Sequence, residues 1–245
     1  MHGCSPFPLL LFGCIISKLW SYEVQYATKG VDHLFELNGI PNALPIKKGE
    51  KLNPKEYITT GPSAFVEIYH HDITVRLGKN AIAEWVDARH WKIHEGSSLF
   101  CLEEKDSIKV SSSKGSSVIT GPCTFIAEAT SNGGYKMICL SGRPYVQSGQ
   151  KKSKIPAGRL VLVLGETNAL GNAYDIDLML LLKSSLLINA FETPPPTMKK
   201  IGLAVYSQQM RMGGKYDALI GDATTDKNLQ MWVLGKKGKD KQSDK

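Results

Sequence analysis

Apolar and polar positions alternate with a period of two through most of this chain, in short runs bounded by Gly, Pro, Asn and Ser. "SAFVEIY" and "ITVRL" flank "HHD", and "TFIAEA" and "YKMICLSG" flank "TSNGG". "AIAEWV", "HWKIHEGSSLFCLEE", "SIKVSSS" and "PYVQS" fill the intervals, and "RLVLVLG" is dense enough for a strand covered on both faces. A period of two sends alternate side chains to opposite faces, so these runs predict half-buried strands. Turn signals about every eight to twelve residues predict a sandwich, a barrel or a short solenoid.

One phrase occurs twice, sixty residues apart: "ITTGPSAF" at 58–65 and "VITGPCTF" at 118–125. Gly61 and Gly121 permit turn geometry, while Pro62 and Pro122 suit the first position of a strand because they lack an N–H. Each phrase is expected to open a hairpin, and the two hairpins to pack against one another, each burying a face that neither buries alone. In the first, pairing across "HHD" sets Phe65 near Leu77 and Tyr69 near Ile73. In the second, Asn132 and Gly133 are a strong two-residue turn signal. That register opposes Phe125 to Leu140, Ala127 to Ile138, Cys123 to Gly142 and Cys139 to Ile126. It sends Cys123 and Cys139 to opposite faces, which argues against a disulfide between them.

The texture changes at "YDIDLMLLLKSSLLINAF". Residues 174–191 predict one helix with Asp175 as N-cap, stopped by "ETPPP". Asp177, Ser184, Ser185 and Asn189 share one arc; Met179, Leu182, Leu186, Leu187 and Phe191 fill the other. Such a helix caps the open side of the β body or offers a docking face. At about 17 residues with Lys183 inside, it is a poor membrane span. "IGLAVYSQQMRM" and "NLQMWVLG" then predict two further strands. The expected organisation is a leader over 1–21, a β domain with its helix over 22–192, a β extension over 193–235 and a disordered basic tail over 236–245.

Composition adds little to the fold and more to the setting. The 245 residues are 42% hydrophobic and 22% charged, enough for a sizeable core. The net charge of +7 raises the question of nucleic acid. The lysines, however, fall in loop-like clusters such as "KKGEK" and "KKSK", with no aromatic platform interleaved with arginine, so specific nucleic-acid binding is not expected. Peripheral attraction to an anionic membrane or polymer stays open. The apolar run from Pro6 to Ile16 is too short to span a bilayer and fits an export signal, although no Lys or Arg precedes it. Export is therefore expected, with Cys14 as a candidate lipid-anchor position. Cys101, Cys123 and Cys139 are the cysteines of the body, an odd number without metal-type spacing.

Candidate chemistry is sparse. His70, His71 and Asp72 form the densest polar cluster. His90 and His94 share a face at i, i+4 on a strand, which separates them by about 13 Å. These four histidines are the candidate metal ligands; no metal or other cofactor is otherwise indicated. HExxH, GxSxG and phosphate-loop motifs are absent. No catalytic residue is assigned, and the binding residues are left open.

The order of the strands over residues 35–192 resembles the FecR-type domain of exported bacterial proteins. "LPIKKGEKLNPKEYITTGPSAFVEIYHHDITVRLGKNA" is similar to the opening strand pair of that family, and "HEGSSLFCLEE" to its central strand. "GPCTFIAEATSNGGYKMICLSGRPYVQS" is similar to its closing strands, and "IPAGRLVLVLG" to the strand that follows. The resemblance implies a mainly β, FecR-like sandwich or short solenoid of repeated hairpins with one helix packed on it. It implies no catalytic centre and a signalling or scaffold role with an envelope protein or polysaccharide as partner, through exposed strand edges suited to β-augmentation. Because the apolar run opens the sequence, a stand-alone form without an anti-sigma segment is expected. His70-His71-Asp72 departs from the acidic residue and Gly common at that turn. The alternative reading is a hydrolase or metal-dependent enzyme whose site the sequence does not reveal.

Overall fold

The repeated Thr-Gly-Pro phrase marks the place where the chain changes layer. In the computed structural model, which describes residues 21–37 and 40–212, eighteen strands form two nine-stranded sheets. Numbered in chain order, one sheet holds β1 (Tyr22–Ala27), β4 (Lys51–Leu52), β6 (Val66–His70), β7 (Ile73–Leu77), β10 (Ser97–Leu102), β13 (Cys123–Ala129), β14 (Tyr135–Gly142), β17 (Arg159–Leu164) and β18 (Ala169–Asp175). The other holds β2 (Val31–Leu37), β3 (Ile40–Pro45), β5 (Tyr57–Thr60), β8 (Ile82–Asp87), β9 (His90–Glu95), β11 (Ser107–Ser111), β12 (Ser116–Thr120), β15 (Tyr145–Ser148) and β16 (Lys151–Lys154). We call them the first and second sheets. The expected mainly β sandwich of repeated hairpins, with helical structure at its C-terminal side, is what the chain forms.

Strand β5 ends at Thr60 in the second sheet and β6 begins in the first; β12 ends at Thr120 and β13 repeats the crossing. Gly61-Pro62 and Gly121-Pro122 are thus sheet-changing corners. At the first, the Thr60 hydroxyl donates to the Gly78 carbonyl at 2.6 Å and accepts from the Ala81 N–H at 2.8 Å, which stitches it to the next crossing. At the second, the Gly121 N–H donates to the Asp106 carbonyl. The two hairpins that follow do not pack face to face. They lie side by side in the first sheet, with β10 inserted between β7 and β13.

Neither hairpin has its predicted register. Val66 pairs with Leu77 and His70 with Ile73, because the turn is the two residues His71 and Asp72, with His71 at φ 52°. Strand β13 keeps the Cys123–Gly142 pair, then a bulge after Thr124 sets Phe125 against Cys139 and Ile126 against Ile138. The turn spans 130–134, closed by the Thr130 N–H donating to the Gly134 carbonyl. A bulge inserts one residue and so exchanges the faces of everything beyond it. Cys123 and Cys139 consequently belong to the same inner cluster, and neither is in a disulfide.

The inner cluster fills the space between the sheets. Its aromatic members cross from layer to layer: Tyr22 lies edge-on to Trp85 and Trp91 at 4.8 and 5.3 Å, Trp91 meets Phe100, and Phe100 stacks on Phe125 at 5.0 Å. Each such pair contributes about 0.5–1.5 kcal/mol beyond the area it buries.

The outer face of the first sheet is apolar too, and three helices cover it. Residues 174–191 do not form one helix. Tyr174 and Asp175 complete β18, Asp177 caps α1 (Leu178–Ser184) by accepting from the Leu180 N–H, and extended Ser185 separates it from α2 (Leu186–Asn189). The buried arc is Leu178 and Leu181 of α1 with Leu187 and Ile188 of α2, which pack with Leu99, Cys101, Ile126, Ile138, Leu140 and Leu160 of the sheet. The segment is therefore a cap, one of its two expected roles. Residues 201–212, expected as a strand, belong to α3 (Met198–Met212). Ile201, Val205 and Gln208 are buried at helical spacing, and after the proline run the Thr197 carbonyl accepts from the Ile201 N–H. Residues 1–20 of the leader, the predicted strand over "NLQMWVLG" and the basic tail lie outside the described residues.

A buried cation ties cap to sheet. Arg76 of β7 is wholly buried. Its Nε donates to Glu67 Oε2 at 2.6 Å, Nη1 to the Leu187 carbonyl at 3.2 Å and Nη2 to the Thr193 carbonyl at 2.6 Å. The guanidinium also lies 4.2 Å from the Phe191 ring centre. Gln208 does the same for α3: its Oε1 accepts from the Leu178 N–H at 2.8 Å and its Nε2 donates to the Ile176 carbonyl.

Candidate functional site

The four histidines nominated from the sequence fall in two places, His70 and His71 side by side at one turn and His90 and His94 on the other sheet. His70 ends β6, with Nδ1 3.0 Å from the Ser21 carbonyl and its ring 4.3 Å from that of His71, which occupies the turn. His90 and His94 lie on β9 in the second sheet. His90 Nε2 is 2.8 Å from the Ser111 hydroxyl, and His94 Nε2 is 3.1 Å from Glu84 Oε2. Among the described residues no three His, Cys, Asp or Glu side chains form a group able to hold a metal ion. Asp72, the third member of the sequence cluster, faces Arg89, with 3.3 Å between Oδ1 and Nη2.

Burial lowers the pKa of His70, and burial followed by Lys109 lowers that of His90. Above pH 6.5, the ordinary value, both folded and unfolded forms are neutral and these groups contribute no slope. As pH falls below 6.5 the unfolded chain takes up the protons first, so stability is lost between 6.5 and the lower folded values. Urea unfolding at pH 7.5 and at pH 5.5 (about one unit either side) is expected to show this loss in the wild type. It should be smaller in a His70→Asn/His90→Asn variant; an equal loss in both proteins counts against the assignment.

The thiols are poor nucleophiles. Burial pushes Cys101 up to about 11 and Cys123 to about 12, and raises Cys139 well above the ordinary thiol value. Cys101 accepts a hydrogen bond from Thr197, which in turn accepts from Thr124 at 2.6 Å, so its surroundings are structural.

The sheet edges are blunted. Strand β4 has two residues; β3 carries Pro41 and Pro45, which lack N–H donors; β16 is "KKSK". On β18 the Leu170 carbonyl accepts from Lys151 Nζ. Strand addition therefore meets short, proline-bearing or lysine-lined edges rather than a long open ladder.

The helical cap offers a different surface. One row of α3 is buried, and on the opposite side Leu203, Tyr206 and Met210 are 69, 65 and 71% exposed. The i, i+3, i+7 spacing makes them a continuous apolar row. Beside it runs a groove of about 330 Å³. One wall is α3, with Lys200, Leu203, Ser207 and Arg211. The other is the elbow where Arg143 leaves β14 and Pro156-Ala157 leads into β17. The Ala157 N–H donates to the Gly142 carbonyl at 3.0 Å, and the Gly158 N–H to the Cys139 carbonyl at 2.8 Å, so this wall is built on the sheet. Next to Arg143, Lys152 and Lys154 lie 5.2 and 5.5 Å from the ring centre of half-exposed Tyr145. None of these groove residues was nominated from the sequence. The available signal was the apolar spacing inside "MKKIGLAVYSQQMRM", once that segment is taken at a period of 3.6 rather than 2.

No protein-family model matches the chain, the FecR-type one included, and no curated protein matches it. Two crystal structures of a "putative anti-sigma factor" from Parabacteroides distasonis ATCC 8503 are similar to it. One, at 1.65 Å resolution, is 10% identical with a TM-score of 0.41 and covers 67% of this chain and 95% of its own. The other, at 2.50 Å, is 11% identical with a TM-score of 0.39 and covers 66% and 93%.

Proposed function

We propose that this protein is a non-enzymatic, FecR-like binding module of the cell envelope that engages a protein partner through α3, in a signalling or scaffold role. The observation that carries this reading is the exposed row Leu203, Tyr206 and Met210 on a helix whose other side is fixed to the β body. Large apolar side chains grouped on a rigid element mark interaction surfaces, because their burial against a partner is worth roughly 1.5–3 kcal/mol each. The His and Cys side chains that would serve an enzyme are instead engaged in separate local contacts. The order of FecR-type motifs and the apolar run at 6–16 support the envelope location.

The test is site-specific photo-crosslinking in the native cells, with the reactive residue at Tyr206 or at Lys48 in the loop beyond β3. A discrete protein adduct from Tyr206 and none from Lys48, in the envelope fraction, is the expected result. No protein adduct from Tyr206, or the same adducts from both positions, overturns the reading.

A further inference from the structure

The groove beside α3 is cationic along its length. Lys200 stands in the first turn of α3 and Arg211 in the last, eleven residues and so about 16 Å apart along the axis. Arg143 faces them from the elbow. Among the described residues no carboxylate lines the groove, and none lies within 4.0 Å of Arg143 or Lys200. Arg211 has only a 3.9 Å approach to Asp175, whose Oδ1 is already 2.9 Å from Arg159 Nε. Lys152 and Lys154 extend the same sign of charge along the edge of the second sheet.

We infer that this groove takes an acidic segment of the partner protein, with carboxylates at its ends and an apolar side chain seated on Leu203; the inference rests on the proposed function. About 16 Å accommodates roughly five residues of extended chain. Carboxylates at the two ends of such a stretch meet Lys200 and Arg211, and one between them meets Arg143. The apolar row favours a polypeptide over a polysaccharide, because Leu203 and Met210 offer no hydrogen bonds to sugar hydroxyls. The concave shape favours a segment over a flat bilayer. The chain's own residues 213–245 are net basic, with seven lysines against five aspartates, which favours a partner's segment over this one. Arginine and lysine in a half-enclosed groove both steer and hold an anionic ligand, and charge reversal there adds repulsion to the lost attraction.

The experiment is fluorescence anisotropy of the full chain with a labelled peptide of about ten residues built from Glu, Leu and Ala, against its Gln-for-Glu analogue. The acidic peptide is expected to bind at least about tenfold more tightly than the Gln analogue, and to weaken as salt rises from about 0.01 to about 0.15 M. Arg143→Glu/Lys200→Glu should cost a further factor of about ten with an unchanged unfolding midpoint, and Leu203→Asp should weaken binding of both peptides. Equal binding of the two peptides, or indifference to the charge-reversed pair, overturns the inference. So does tighter binding of oligogalacturonate or of phosphatidylglycerol vesicles than of the acidic peptide. A Tyr206 crosslink to a protein whose binding ignores the charge reversal would sink this inference alone; absence of any crosslink would sink the function beneath it.

Discussion

Arg76→Met is expected to lower the free energy of unfolding by about 3–5 kcal/mol, measured by urea denaturation, because it strips a buried carboxylate of its counter-charge. Glu67 is almost fully buried and receives the Arg76 Nε proton at 2.6 Å. The Leu187 and Thr193 carbonyls lose a donor in the same step, at about 1–3 kcal/mol for each that stays dry. The methylene stem survives in Met, so the loss reports on charge and hydrogen bonding more than on volume. Arg76→Met/Glu67→Met should recover much of the stability, since no charge is then left alone in the interior. A double variant no more stable than the single one would mean that the carbonyls, not the carboxylate, carry the effect. Hydrogen exchange over 187–193 should rise in the single variant, because the guanidinium is what draws that segment onto β7.

Gly142→Ala is expected to cost about 2–4 kcal/mol, from backbone geometry and crowding together. Gly142 has φ +83°, and an added Cβ would lie 2.4 Å from the Pro122 carbonyl oxygen and 3.1 Å from the Cys123 Cα. Both obstacles are main chain, so rotating a side chain does not relieve them. Gly202→Ala in α3 is the matched control: a Cβ there meets nothing within 4 Å, and alanine in a helix gains about 0.8–1.0 kcal/mol over glycine. Thermal unfolding of the two variants should move in opposite directions. A Gly142→Ala protein as stable as the wild type would show that the elbow between β14 and the groove yields freely.

Much of the fold was legible because strands announce themselves by a local period. The inward positions Val75, Trp85 and Trp91 follow from alternation, and the glycine–proline corners from conformational preference; Phe100 and Phe125 do not, since Leu99, Cys101 and Ile126 beside them are apolar and buried on the other face. Registers were not legible. The bulge after Thr124 and the left-handed His71 are single-residue events that leave no periodic trace, yet each shifts a whole ladder by one. The predicted helix face differs already in α1, where Leu178 and Leu181 rather than Met179 and Leu182 are buried, and at Ser185 an extended residue ends that helix and starts another. Arg76 holds a polar position of the alternating run "ITVRL", and its partners at Leu187 and Thr193 are more than a hundred residues away, beyond any spacing rule. The groove was missed for a related reason. Its walls come from the end of β14 and from α3, and a strand over 201–212 would not have aligned Lys200, Leu203 and Arg211 on one side.

Strand neighbours in the two sheets follow chain order closely. After the exchange of β1 with β4 and of β2 with β3 at one margin, each later hairpin is laid beside the one before it. A nascent chain, or one threaded through a narrow translocation channel amino-end first, would therefore meet its pairing partners in the sequence in which they arrive, with short loops to close at almost every step. Among the described residues the helices come last. Until they do, Leu99, Ile126, Ile138 and Leu140 have no cover, and Arg76 has water where it will later find carbonyls. The late-arriving α1–α3 thus act as the ratchet of assembly: they are the step that turns an open, sticky growing sheet into a finished surface.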